Sequence, residues 1–85
     1  MSLGYLVAVT SGLARAKQLV QEGKDIALCD EGGSPFVVCR TSEVAYRCKD
    51  FLEFRGVSSE FAEGEKTILR ILPLDVGKIN SMLVQ

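Results

Sequence analysis

A cysteine does chemistry only where its pKa is depressed, as at a helix N-terminus or beside a cation. The chain has three cysteines, Cys29, Cys39 and Cys48. Cys39 fits that requirement best, because it sits next to Arg40 and two residues before an expected helix. A thiol-dependent enzyme using Cys39 is therefore one expectation. The plainer one is that all three are small core residues. Their odd number and the absence of a CxxC pair argue against a disulfide framework. They point instead to reduced, mostly buried thiols and a cytoplasmic setting. The chain has no histidine. That removes Ser-His-Asp, Cys-His and histidine-ligated metal chemistry together. Three cysteines without histidine match no common zinc pattern. The sequence thus assigns no catalytic residue, no metal site and no cofactor, and the expectation leans away from an enzyme.

Two segments join a strand to a helix start and could hold an anion through backbone N–H groups: Thr10-Ser11-Gly12 and Thr41-Ser42. Ordinary capping is the plainer use of both. No dinucleotide-binding glycine pattern and no Walker-type sequence is present. Gly32-Gly33 reads as hairpin chemistry. A small anionic ligand would sit at Thr10, Ser11 and Gly12, near Gly32 and Gly33, because these segments fall at one end of the expected sheet. The acidic groups Asp30-Glu31 and Glu60-Glu63-Glu65 fall at opposite ends, so they share no site.

Tyr46, Asp50 and Phe54 recur every four residues. They form a row on a helix, away from its apolar stripe. Aromatics on an outward face suggest a contact surface. Arg47, Lys49 and Arg55 on the same helix are balanced by Glu43, Asp50 and Glu53. With a net charge of −1 and a pI near 5.3, nucleic acid is not the expected partner. No apolar run approaches the roughly 18 residues of a membrane helix, so no membrane partner is expected either.

The elements that would position these residues are legible from periodicity. Residues 4–10 form a β-rich run, and residues 12–23 switch to helical spacing with Leu13, Ala16 and Val20 in one stripe. Thr10 or Ser11 can cap that helix, and Gly23 can end it. Residues 25–30 and 36–40 read as strands joined in a hairpin, with Pro35 at a strand start. A second helix over 42–55 carries Val44, Ala45, Cys48, Phe51 and Leu52 on one side, and Gly56 ends it. A weak fourth strand at 57–62 and a fifth at 67–72 follow. Asp75 can then cap a short helix with Val76, Ile79, Met82 and Leu83 on one face. The halves echo each other: Tyr5-Leu-Val-Ala-Val-Thr-Ser is matched by Phe36-Val-Val-Cys-Arg-Thr-Ser, 31 residues later. Met1 to Leu3 precede the pattern and read as a cloning remnant or an unstructured start.

With 85 residues, 47% hydrophobic and 25% charged, one soluble globular domain over 1–85 is expected. The order β-α-β-β-α-β over residues 4–62 resembles the ferredoxin-like superfold, here with an extra C-terminal strand and short helix. The resemblance implies an α+β sandwich with strand order four, one, three, two, and strands one and three at the centre. Both central strands are apolar on both faces: Tyr5, Val7 and Val9 against Leu6 and Ala8, and Phe36 and Val38 against Val37 and Cys39. In that arrangement two helices cover one face only. Leaving four such side chains wet would cost about 6–12 kcal/mol, so a third layer is required. The candidates are the C-terminal helix, a second subunit or a ligand. The reading that follows is a small non-enzymatic interaction or regulatory module, self-associating as a homodimer through a sheet face or edge, or meeting another protein. The alternatives are the anionic-ligand domain and the Cys39 enzyme.

Overall fold

The computed structural model describes residues 5–31 and 34–71. Along the chain come β1 (Val7–Thr10), α1 (Leu13–Gln21), β2 (Ile26–Glu31), β3 (Ser34–Cys39), α2 (Ser42–Phe54), β4 (Ser59–Phe61) and β5 (Ile68–Ile71). Among the described residues, two helices and a five-stranded mixed sheet make the fold α+β. The expected C-terminal helix, the Gly32-Gly33 turn and the Met1–Leu3 start lie outside the described residues.

The ferredoxin-like order is matched only in the succession of elements. The strands lie side by side as β1-β2-β3-β5-β4, not four-one-three-two. β1 and β2 are parallel neighbours, with Val7 level with Ile26 and Thr10 with Cys29. β2–β3, β3–β5 and β5–β4 are antiparallel. β1 is therefore an edge and β2 is interior, the reverse of expectation. The fifth strand causes the change. Its Ile68 packs toward one face while Leu69 and Ile71 pack toward the other, and all three are buried. A strand apolar on both sides needs a strand neighbour on each flank and a helix on each face. β5 takes that place beside β3 and displaces β1 from the centre.

The helices lie on opposite faces. α1 sets Ala16 and Val20 against Ala27, Cys29, Val38 and Ile68. α2 sets Val44, Ala45, Cys48 and Leu52 against Ile26, Leu28, Val37, Cys39, Leu69 and Ile71. Successive residues of β2 and β3 thus feed two different cores, as period-two alternation requires. The third layer exists, and α1 supplies it; neither a second subunit nor a ligand is needed there. Crossover hand explains why. A strand–helix–strand unit between parallel strands is right-handed in nearly every case. The β1–α1–β2 and β3–α2–β4 units advance the same way across the sheet but start from strands of opposite direction, which sends their helices to opposite faces. In the ferredoxin order the second unit runs back toward the first strand, so both helices share one face.

Local chemistry sets the helix limits. Thr41 caps α2: its Oγ1 accepts the Val44 N–H at 3.2 Å. α1 departs from expectation, because Gly12 is the N-cap, in extended conformation and with no side-chain hydrogen bond. Thr10 belongs to β1 and Ser11 precedes the cap. Both helices end in a glycine of positive φ, Gly23 (φ 122) and Gly56 (φ 83). Lys24 N–H donates to the Leu19 carbonyl and Val57 N–H to the Leu52 carbonyl. These six-to-one bonds close each final turn.

Candidate functional site

Among the described residues, β1 has a strand neighbour on one side only. Asp25 N–H and Ile26 N–H both donate to the Leu6 carbonyl, and Leu6 N–H donates to Asp25 Oδ2 at 2.9 Å. Leu6 therefore turns its backbone groups toward β2. In a parallel ladder these groups alternate sides from one residue to the next. Ala8 and Thr10 also face β2, while Val7 and Val9 aim their N–H and C=O groups away from the sheet. The side chains of Leu6 and Val9 are 60% and 56% exposed. Val7 packs at the margin of the α2 core, but α2 sits over β3, β4 and β5, and α1 contacts β2 more than β1. No charged residue and no proline lies between Tyr5 and Ser11. Open edges are usually blunted by such residues.

The start of this edge is firmly held. Asp25, just before β2, ties three strands. Its carboxylate accepts from Leu6 N–H on the β1 side and from Arg40 Nη2 at 2.7 Å, and its carbonyl accepts from Arg40 N–H after β3. The far edge is different. β4 has three residues, its Glu60 pairs with Arg70 of β5, and the Phe61 ring meets Tyr46 edge-on at 5.0 Å. Ser59 Oγ is the one buried side-chain polar atom without a hydrogen-bond partner among the described residues.

Thr10, Ser11 and Gly12 stand at the start of α1, and Gly32 and Gly33 lie outside the described residues. Thr10, the last residue of β1, is level with Cys29 of β2, two residues before that strand ends. Exposed Asp30 stands beside that end, which disfavours an anion. Thr41 is occupied by capping. Tyr46, Asp50 and Phe54 are all exposed, Phe54 by 86%, so the row faces outward as its spacing implied. The basic residues around it are engaged within the helix: Arg47 with Glu43, and Lys49 with Glu53.

Cys39 lacks the features of a reactive thiol. It is 2% exposed, inside the α2 core with Cys48. Its hydrogen bond to Cys48, then its burial, then the charge of Cys48 push the thiol far up. Arg40, the cation meant to activate it, is engaged by Asp25. Cys29 and Cys48 are also buried and form no disulfide. Among the described residues no cluster of histidine, cysteine or acidic side chains has a metal-binding arrangement. No helix among them is long and apolar enough to cross a membrane. An all-apolar strand such as β1 reads as central, which hides its edge position; the available signal was a fifth strand with Ile68, Leu69 and Ile71 to compete for the centre. Comparison with family models, curated proteins and solved structures finds no match.

Proposed function

We propose that this chain is a small non-enzymatic interaction module whose working surface is the edge of β1, where a strand from a protein partner joins the sheet. The observation that carries this reading is the outward pair of backbone groups at Val7 and Val9, flanked by exposed Leu6 and Val9 side chains and by no charge. Strand addition draws affinity from main-chain hydrogen bonds and specificity from alternate side chains. Val9 and Leu6 would supply the latter on opposite faces. The outward row Tyr46, Asp50 and Phe54 offers a separate contact surface on α2. The anionic-ligand and Cys39 readings find no comparable support: α1 begins at a glycine without a side-chain cap, and Cys39 is enclosed.

Amide hydrogen exchange in dilute solution tests whether the edge is free. Ala8 and Thr10 N–H, directed at β2, should exchange slowly; Val7 and Val9 N–H should exchange at rates near those of an open chain. Equal protection of all four would mean that the chain covers its own edge, and the reading would fall.

A further inference from the structure

We infer that the strand received by β1 is β1 of a second copy of this chain, paired antiparallel about a two-fold axis through Ala8. This rests on the strand-addition reading and names its partner.

Self-pairing about a two-fold requires a patch that complements itself. The edge reads Val7-Ala8-Val9, the same in both directions. Bends at Tyr5 and Ser11 bound the extended segment, so the outward backbone groups within the strand belong to Val7 and Val9. A two-fold through Ala8 sets Val7 opposite Val9 of the second copy, and Val9 opposite its Val7. Both are hydrogen-bonded pairs, each exchanging two N–H···O=C bonds. A centre at Val7 or Val9 would pair one of these residues with itself and set the other against a bend.

Side chains agree with that register. Opposed residues share a face, so exposed Val9 meets Val7 on the α2 side and exposed Leu6 meets Thr10 on the α1 side. Ala8 falls at the non-hydrogen-bonded centre, where Cα atoms approach to about 4.5 Å and a methyl fits. The charge pattern favours a like partner. Each copy has a net charge of only −1, and the segment that meets its twin has none, so no ionic repulsion opposes contact. A charged partner segment would find no counter-charge along the strand. α1 is centred over β2 and reaches β1 and β3 alike, and α2 lies over β3, β5 and β4, while the side chains of Leu6 and Val9 stay exposed. The product is a continuous sheet with both short, polar β4 strands at its outer edges.

Sedimentation of the full chain from about 1 µM to 1 mM should show a reversible monomer–dimer equilibrium. Val9→Pro removes an outward N–H without touching the β1–β2 ladder, a position where edge strands accept proline. Val9→Lys adds charge at the seam and serves if the proline variant does not fold. Either should weaken dimerisation by about tenfold or more, with unchanged monomer circular dichroism. Ala8→Cys should link two copies on mild oxidation, because the central Cα separation suits a disulfide. Thr10→Cys should not, since the two-fold sets its copies far apart along the strand. A chain that stays monomeric throughout overturns the inference. So does a dimer that ignores both Val9 variants, or one that links through Thr10→Cys in preference to Ala8→Cys. Each of these outcomes leaves the open-edge reading to the exchange experiment.

Discussion

At Cys39, neighbours in sequence and neighbours in space pull in opposite directions. Proximity to a helix start and to Arg40 would lower a thiol pKa in an open loop. In the fold the guanidinium goes to Asp25 and the thiol goes into the α2 core beside Cys48. The consequence is measurable. The folded thiol is held above its ordinary value, whereas the unfolded chain releases that proton near pH 8.5. Above that pH the unfolded state binds fewer protons than the native one, so stability declines as pH rises; below it the contribution is complete. Urea titrations should show a constant midpoint from about pH 6 to 8 and a fall above about 8.5, at most about 1.4 kcal/mol per pH unit from this group. In Cys39→Ala the alkaline fall should be shallower, though the variant is less stable at every pH. An identical alkaline slope in parent and variant would show that Cys39 does not hold its proton.

Element boundaries follow closely from local chemistry. Gly23 and Gly56 sit where the stop signals put them, Thr41 caps α2, and the β2–β3 hairpin forms as its short connection implies. Their conformations allow a ranking. Gly64 (φ 75) and Gly56 (φ 83) lie near the left-handed region that other residues visit with effort, while Gly23 (φ 122) lies well beyond it. An added Cβ meets nothing within 4 Å at any of the three, so substitution tests backbone strain alone. Gly56→Ala should cost about 1–2 kcal/mol. Gly23→Ala should cost more, up to about 3 kcal/mol. Chemical denaturation of the two variants reads this directly, and the reverse order would mean that the α1 terminus relaxes where the α2 terminus cannot. The cap of α1 was not legible, because nothing local distinguishes Ser11 from Gly12 as the last extended residue. The exposed row Tyr46, Asp50 and Phe54 was legible, since helical spacing alone sends it opposite to Val44, Cys48 and Leu52.

Strand order belongs to the whole molecule, and here the sequence was silent for a physical reason. The same seven elements satisfy period-two and helical patterning in either arrangement. What separates the two is whether the second crossover runs back to β1 or outward past β5, a competition between two apolar strands for one place beside β3. The outcome moves β1 to an edge and so creates the candidate surface, which no reading of β1 by itself could locate. It also couples the two cores. Ile26 and Leu28 serve the α2 side while Ala27 and Cys29 serve the α1 side, and Val37 and Cys39 alternate with Val38 in the same way. Neither face can lose its packing without loosening strands that the other depends on. Leu52→Ala on α2, at a fully buried site, should cost about 2–5 kcal/mol, a large share of the roughly 4–13 kcal/mol expected for a chain of this length. The loss should appear equally in the exchange of α1 amides, on the opposite face, because opening is global. If Leu52→Ala hastened exchange in α2 while Ala16 and Val20 kept their protection, the sheet would not transmit the loss between its faces, and the two layers would have to be treated as separately stable units.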